Sequence, residues 1–316
     1  MSSPLPHVSI LLCTRNGAAH LQGQLDSYVA QTHADWSLWV SDDGSDDATL
    51  AILETFRDAQ GAAHPVHILK GPQRGAAANF MSLLCHPDLP VGWVAISDQD
   101  DVWKPEKLTR GLTRLTDLTG TAPDTPAAYS AQSVHVDNAL TPIGASRPPP
   151  RPATFANALT QNALSGHSTL LNPAAHALVR RAGVPDGIAF HDWWLYQLMT
   201  GAGARIDIDD AQVLFYRQHG DNVLGAHDGR RASAARLAMV MNGQYGRWMA
   251  ANIAALSQVA DLLSDANRAR LTLARTGITP GTFGPLAALC YAKAGLHRQT
   301  RPASAVFYAA AILGRI

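Results

Sequence analysis

Residues 8–17 read VSILLCTRNG, an apolar run that ends in Thr14, Arg15, Asn16 and Gly17. A short, nearly continuous apolar run is typical of a strand that is buried on both faces, as in a parallel sheet. The polar residues that follow predict a loop at the carboxyl end of this strand. This stretch therefore predicts that an α/β fold begins near residue 8.

The same arrangement recurs twice along the chain. Residues 36–40 are mostly apolar and lead into SDDGS at 41–45, and residues 93–96 lead into SDQDD at 97–101. Apolar residues at helical spacing separate these strands. Alternating strands and helices predict a doubly wound, mostly parallel α/β sheet flanked by helices, which binds ligands beyond the carboxyl ends of its strands.

Composition and charge limit the classes of protein to which the chain can belong. The 316 residues include 25 basic and 25 acidic side chains, and 47% of the chain is hydrophobic, which predicts a globular protein with a large core. Residues 224–316 hold eleven Lys or Arg against three Asp, a net charge of +8, so the preceding part carries −8. An acidic part of this kind argues against a nucleic-acid partner and suits a divalent cation that holds an anionic ligand.

The cysteines and the N-terminal residues indicate the cellular compartment in which the protein is expected. Cys13, Cys85 and Cys290 are widely spaced, which fits neither a disulfide framework nor a zinc site. The first residues contain neither a basic leader nor a long apolar run, so we expect neither a signal peptide nor a membrane anchor. A reducing, cytoplasmic location is the resulting expectation.

The first polar cluster contains Asp42 and Asp43 at a predicted strand end. A carboxylate there can accept hydrogen bonds from a base N–H or a ribose hydroxyl, although a turn capped by an aspartate is the alternative. Ser45 and Asp46 are expected to cap the next helix.

Two smaller clusters have both a binding and a structural interpretation. Arg74 and Gly75, before a predicted helix that contains Asn79, offer a cation and a helix N-terminus to a nucleotide. Gly166 and His167 fit an acceptor pocket. The alternatives are a loop arginine with a turn glycine, and an ordinary polar turn.

The second main cluster places Asp98, Asp100 and Asp101 within four residues, next to Gln99. Three carboxylates this close repel one another unless a hard divalent cation binds between them, whereas the alternative is a solvated acidic loop. A cation there would also bind the two phosphates of a nucleoside diphosphate, which indicates a reaction and not binding alone.

The third cluster, His191, Asp192, Trp193 and Trp194, sets a carboxylate between an imidazole and two indoles. Aromatic faces are common platforms for sugar rings, and Asp192 is the best candidate for a general base. The alternative is an aspartate that caps a helix beginning near Trp193.

A fourth cluster follows the apolar run 213–215. Tyr216 and Arg217 are expected to contact the acceptor or the diphosphate, and His219 is expected to bind the metal or the diphosphate. A lone histidine is as often structural, so both readings of His219 stay open.

These motifs occur in a familiar order. VSILLCTRNG, SDDGSDD, SDQDDVWKPEKL, HDWW and YRQHGDNVLG resemble the ordered motifs of family 2 glycosyltransferases with the GT-A fold, most closely those of bacterial rhamnosyltransferases. The resemblance implies that Cys13 or Thr14 and Asp43 lie at the nucleoside, that Asp98 and Asp100 form the DXD metal motif, and that Asp192 is the catalytic base.

The resemblance also implies an inverting transfer that depends on Mn²⁺ or Mg²⁺. L-rhamnose from dTDP-L-rhamnose is the expected donor sugar, with a UDP- or GDP-sugar as the alternative. A hydroxyl of a cell-surface glycan or of a lipid-linked molecule is the expected acceptor. The chain lacks a QxxRW signature, so polymerisation is not expected. Two other function classes are a nucleotidyltransferase, disfavoured because only Arg15, Asn16 and Gly17 follow the first strand, and a non-catalytic nucleotide- or glycan-binding module.

The chain is expected to divide into a GT-A catalytic domain, residues 1–225, and a helical region, residues 226–316. Residues 285–296 and 303–313 are apolar stretches too short to span a bilayer, and basic residues flank them. They predict peripheral contact with the cytoplasmic face of an anionic inner membrane. The alternative is packing on the catalytic domain or on a second copy in a homodimer.

Overall fold

The computed structural model describes residues 5–218, 237–279 and 281–316. Contacts between residues divide the chain into two compact units. The first unit comprises Met1–Pro148, Leu164–Val184 and Ala204–Gly225, and the second comprises Pro149–Ala163, Pro185–Gly203 and Ala226–Ile316. The expected division of function at residue 225 stays a prediction. His219 lies outside the described residues.

The first unit contains one mixed sheet, in the order β3-β2-β1-β4-β8-β6-β9-β5 with β7 paired to β6. Its strands are β1 (Val8–Thr14), β2 (Trp36–Asp42), β3 (Val66–Lys70), β4 (Trp93–Ser97), β5 (Val102–Trp103), β6 (Ala127–Val136), β7 (Pro142–Ala145), β8 (Leu170–Leu171) and β9 (Arg205–Arg217). The four predicted strands β1 to β4 pair in parallel, as expected. Antiparallel pairing enters at β8, between β4 and β6.

The register of the parallel strands positions the predicted loops. All seven residues of β1 and all seven of β2 are buried, which explains why both strands are nearly continuous in apolar residues. Thr14 lies beside Asp42, and Leu12 lies beside Ser97, the last residue of β4. The polar clusters after β1, β2 and β4 therefore meet at one edge of the sheet.

Helices cover this sheet and bury its apolar side chains. They are α1 (Leu21–Val29), α2 (Thr49–Gln60), α3 (Ala76–Leu84), α4 (Lys107–Thr119) and α6 (Pro173–Ala182). Tyr28 of α1 packs edge-on against Trp36 and Trp103, with ring centroids 6.3 and 4.8 Å away. Such aromatic contacts add to the stability that burial alone provides.

Two bidentate ion pairs join α4 to β9. Arg110 donates to Asp209 at 2.5 and 3.0 Å, and Arg114 donates to Asp207 at 2.7 Å through both nitrogens. Asp209 is 2% exposed and also accepts from the buried Tyr129 hydroxyl at 3.0 Å. Burial opposes ionisation of Asp209, but these hydrogen bonds outweigh it and hold its pKa well below the ordinary value.

The second unit is helical. Its helices are α5 (Phe155–Ala158), α7 (His191–Gly201), α8 (Gln244–Gln258), α9 (Asp265–Ile278), α10 (Gly284–Lys293) and α11 (Arg301–Ile312). The fully buried Asn157 links three segments, because it accepts from Tyr196 and Gln299 and donates to the His297 carbonyl. Within the described residues, no helix combines the length and apolar character that a bilayer span requires.

We expect Asp209→Ala to lower the free energy of unfolding by about 2–4 kcal/mol, because Tyr129 and Arg110 lose a buried acceptor. Asp207→Ala is the matched control on the same strand, and we expect it to cost less than about 1 kcal/mol because the Asp207 side chain is 14% exposed, against 1% for Asp209. Urea unfolding at neutral pH measures both changes.

The sign of the pH dependence follows from the depressed pKa of Asp209. Its contribution is fully present above the unfolded-state pKa, about 4, and is lost as the pH falls towards the folded-state value. The stability difference between the wild type and Asp209→Ala should therefore shrink in acid. Equal losses for Asp209→Ala and Asp207→Ala at neutral pH would contradict the prediction.

Candidate active site

Asp42 organises the loop after β2. Its carboxylate accepts from the Thr14 hydroxyl at 2.9 Å, from the Ser45 hydroxyl at 2.5 Å, and from the amides of Gly44 and Ser45 at 3.2 and 2.9 Å. These bonds form the aspartate-capped turn that was the structural alternative for this residue. Ser45 therefore does not cap α2, contrary to expectation. Asp47 bonds the first amide of that helix, at Thr49.

Asp43 joins the β2 loop to the β3 loop. Its two carboxylate oxygens accept from the amides of Gln73 and Gly75 at 2.5 and 2.9 Å, while its own amide donates to the Thr14 carbonyl at 2.8 Å. Gly75 has φ 88°, a conformation that suits glycine, and it precedes α3 directly. Arg74, between these two amide donors, is exposed. The β3 loop that carries the Arg74 cation is thus hydrogen-bonded to the Asp43 carboxylate.

Asn79 has a structural position behind this loop. It is 1% exposed, accepts from the Ser41 hydroxyl at 2.6 Å and donates to the Ser41 carbonyl at 2.9 Å. These two hydrogen bonds connect α3 to β2, next to Asp42 and Asp43, which were predicted to bind the nucleotide. The side-chain amide of Asn79 is therefore hydrogen-bonded within the protein.

Gln99 connects the acidic loop to the loop after β1. It accepts from the Arg15 amide at 2.9 Å and donates to the Arg15 carbonyl at 3.0 Å. Gly17 packs so closely on Gln99 that an added Cβ would lie 2.6 Å from Cδ and closer still to Oε1. Asn16, with φ 48°, accepts from the Asp46 amide at 2.9 Å. Hydrogen bonds therefore hold the predicted donor loops to one another.

Asp98, Asp101 and His167 form a cluster in which one ligand atom of each lies within 4.8 Å of the others. Asp101 is fully buried, and its Oδ2 has no hydrogen-bond partner among the described residues. Burial, followed by the charges of Asp100 and Asp98, raises the pKa of Asp101. Two carboxylates and an imidazole lie close together here, and one carboxylate oxygen is buried without a partner among the described residues. Such a set of ligand atoms suits a divalent cation. Asp98 was predicted as a ligand, and Asp101 and His167 join it in space.

Arg217 braces the acidic loop from β9. Its amide donates to Asp101 Oδ1 at 3.3 Å, its Nε donates to the Asp100 carbonyl at 3.0 Å, and its Nη1 donates to the Asn138 carbonyl at 2.5 Å. Arg217 is 5% exposed. These contacts give it a positioning role next to the carboxylates that were expected to bind metal.

Sequence reasoning missed Lys107 behind the acidic loop. Its ammonium lies 3.1 Å from the centre of the Trp103 ring, and its side chain is buried. Burial lowers its pKa, and the charges of Asp101 and Asp98 oppose that shift. The signal was present in DDVWKPEK, where a tryptophan and two lysines follow the carboxylates, but the spacing does not indicate which lysine is buried.

Cys13 lies near the cluster, and an aromatic ring packs on its His167. Burial, then the charges of Asp98 and Asp43, raises the pKa of the Cys13 thiol, so this side chain stays neutral. The His167 ring stacks on Tyr216 at 4.7 Å, and His135 approaches the same tyrosine edge-on at 5.9 Å. Gly166 begins the short helical turn that contains His167.

The second unit holds the remaining predicted residues. Asp192 lies in the first turn of α7, where its Oδ1 accepts from the Trp193 amide at 2.7 Å. Trp193 and Trp194 are 4% and 0% exposed, and the Trp193 Nε1 donates to the Ala158 carbonyl at 2.7 Å. This burial favours packing for both indoles over the sugar-binding role expected of them. Burial also lowers the pKa of His191 to about 3, so its imidazole is neutral.

We expect Gly17→Ala to lower the free energy of unfolding by about 1–3 kcal/mol, because the new methyl group displaces Gln99 from Arg15. Gly23→Ala within α1 is the matched control. An added Cβ there makes only an ordinary contact of 3.8 Å with Val102, so helix propensity should stabilise the protein by roughly 0.5–1 kcal/mol. Chemical denaturation measures both, and a fully stable Gly17→Ala protein would show that Gln99 does not hold the two loops together.

Comparison with known proteins connects this geometry to a family. The family model described as "Glycosyl transferase family 2" matches residues 9–162. The dTDP-rhamnosyl transferase RfbG of Shigella flexneri is 25% identical over 270 residues, which cover 80% of this chain and 85% of that protein.

Solved structures agree on the fold. S. aureus TarS 1–349 in complex with UDP-GlcNAc superposes with a TM-score of 0.58 at 15% identity, over 98% of this chain and 89% of that one. A mannosyltransferase from Pyrobaculum calidifontis in complex with GDP-Man and Mn²⁺ gives 0.51 at 18% identity, over 98% and 86%. These structures confirm the expected GT-A fold. The family match and the similarity to the S. flexneri transferase identify residues 9–162 as a glycosyl transferase family 2 domain and the chain as a nucleotide-sugar glycosyltransferase.

Proposed function

We propose that this enzyme transfers L-rhamnose from dTDP-L-rhamnose to a hydroxyl of a cell-surface glycan or a lipid-linked acceptor, with inversion and with a divalent metal. One observation carries the choice of sugar: the similarity to a dTDP-rhamnosyl transferase extends over 80% of this chain and 85% of that protein. A likeness of this extent covers both units of the chain and is not confined to the shared nucleotide motifs.

Donor binding is assigned to the loop edge of the first unit. Asp43 accepts one amide on each carboxylate oxygen, and each oxygen has a further lone pair for a base N–H or a ribose hydroxyl. Arg74, exposed on the adjoining loop, supplies positive charge for the diphosphate. Thr14, Arg15 and Asn16 complete the proposed donor contacts, since they belong to the loops that these bonds hold in place.

Metal binding is assigned to Asp98 together with the residues around it. The clustering of Asp98, Asp101 and His167 supports this assignment, as does the Mn²⁺ in the P. calidifontis mannosyltransferase of the same fold. Asp100 remains a proposed ligand by resemblance, and His219 remains one because of its position after the apolar run 213–215. When bound, a Mn²⁺ or Mg²⁺ ion would offset the negative charge of the diphosphate.

Asp192 is the proposed general base. Its carboxylate would take the proton of the acceptor hydroxyl while the acceptor oxygen bonds to the anomeric carbon of the sugar. The bond from that carbon to the diphosphate oxygen breaks on the opposite face, and the nucleoside diphosphate leaves with the bonding electrons. A single displacement of this kind inverts the anomeric centre. The hydrogen bond from the Trp193 amide fixes the orientation of the carboxylate before the reaction.

We expect dTDP and dTDP-L-rhamnose to raise the melting temperature, and Mn²⁺ or Mg²⁺ to enlarge that rise. A ligand that binds only the folded state adds about 2.7 kcal/mol of stability at roughly 100 times its Kd. Thermal unfolding against dTDP, UDP and GDP compounds, each with and without metal, measures the effect.

The other donors in this panel serve as controls. Larger shifts with UDP-GlcNAc or GDP-Man, the ligands of the two solved neighbours, would replace rhamnose with another sugar and keep the transferase. Shifts that are equal with and without metal would remove the proposed metal dependence.

We expect Asp192→Asn to reduce the transfer rate by a factor of about 100 or more, because the amide cannot accept the proton of the acceptor. Donor affinity, measured by calorimetry, should change little. Asp186→Asn, at an exposed carboxylate six residues earlier, is the matched control and should keep full activity. Substantial transfer by Asp192→Asn would show that another group is the base.

A further inference from the structure

Helices α10 and α11 of the second unit contact each other closely at one end. A Cβ added to Gly284, the first residue of α10, would lie 2.8 Å from the Ala311 carbonyl oxygen and closer still to that of Ile312. The start of α10 therefore rests on the end of α11, which only glycine allows at this separation. Phe283 directly precedes Gly284, so its backbone also lies at the end of the helix pair where α11 ends.

The outer sides of these two helices form an exposed apolar surface. Phe283 is 72% exposed, Leu313 66% and Ile312 52%. We call this surface the hairpin face, and it consists of Phe283, Leu286, Leu289, Val306, Ile312 and Leu313. Other residues of the same helices, among them Ala287, Tyr291, Phe307 and Ala311, are buried, so both helices are apolar on two sides. A water-facing helix would normally carry polar residues on its outer side.

The charged side chains of the segment that carries the hairpin face have one sign. Residues 281–316 contain Lys293, Arg298, Arg301 and Arg315 and no aspartate or glutamate. Lys293, Arg301 and Arg315 are exposed. An apolar surface with cations beside it matches the interface of an anionic bilayer, where acyl chains accept the apolar groups and phosphate headgroups accept the cations.

We propose that the hairpin face docks this enzyme on the surface of an anionic lipid bilayer. The two helices have 10 and 12 residues, too few to cross the hydrocarbon layer, so both lie in the plane of the interface. This docking goes beyond the proposed sugar transfer and does not depend on which donor the enzyme uses.

A second copy of the chain is the less favourable occupant. A symmetric dimer through this surface would place the basic residues of one copy close to those of the other, and residues 281–316 offer no carboxylate to compensate. A bilayer rich in phosphate headgroups supplies the missing negative charge.

The test is flotation of the full chain with vesicles. We expect binding to phosphatidylcholine vesicles that contain about a third phosphatidylglycerol, and weak binding to phosphatidylcholine alone. Phe283→Ser with Leu313→Ser should weaken binding at least about tenfold, because two exposed side chains no longer insert. Arg301→Gln and Arg315→Gln should each weaken it about fivefold.

Ile143→Ser is the matched control, since it removes a 60% exposed apolar side chain from β7 in the first unit, and it should leave vesicle binding unchanged. Circular dichroism and the donor-induced melting shift check that each variant is folded and binds its nucleotide. That shift also separates the two proposals, because it reports on the donor site alone.

Three results would overturn the docking proposal. They are failure of the wild-type chain to float with anionic vesicles, equal flotation of the wild type and both sets of variants, and a light-scattering mass of a dimer that Phe283→Ser with Leu313→Ser reduces to that of a monomer. The last result would assign the hairpin face to a second copy.

Discussion

The carboxylates of Asp42 and Asp43 are the interaction on which the loop edge of the sheet depends. Asp42 accepts hydrogen bonds from Thr14 at the end of β1 and from the loop after β2, while Asp43 accepts from two amides of the loop after β3. Three separate loops are thereby fixed by two adjacent side chains. Because both carboxylates are buried, each lost bond would leave an unpaired polar group, and this cost keeps the edge in one conformation.

The acidic loop after β4 places several carboxylates next to this edge, and two cations lie close to that loop. Arg217 donates a hydrogen bond to the Asp100 carbonyl of the acidic loop, and the buried Lys107 packs its ammonium on the Trp103 ring. Neither cation removes the need for a partner at Asp101, whose Oδ2 has none among the described residues. A site with this balance favours a further positive charge, which the proposed metal ion would supply.

The second unit is held by its own contacts. Asn157 joins α5, α7 and the segment before α11, and Trp193 and Trp194 anchor the first turn of α7 in the interior. The proposed base Asp192 is thus placed by packing, because the two residues that follow it in the first turn of α7 are buried. The proposed membrane surface occupies α10 and α11, whose inner sides contribute to the same interior.

Local patterns in the sequence were sufficient to predict the order of strands and helices from β1 to β4, the parallel pairing of these four strands and the meeting of polar ends at one edge. Periodicity and strand termination are local properties, and strands that are joined through a helix within one sheet run parallel. They do not determine which side chains become partners across 28 to 84 residues of chain, as Thr14 with Asp42 or Arg15 with Gln99. That pairing decided that Asp42 organises a turn, that Ser45 does not cap α2, and that Asp101 and His167 approach Asp98. Tertiary packing also buried Trp193 and Trp194. The sequence did not predict this burial, because a tryptophan beside a carboxylate has the same local pattern whether its ring faces a ligand or the core.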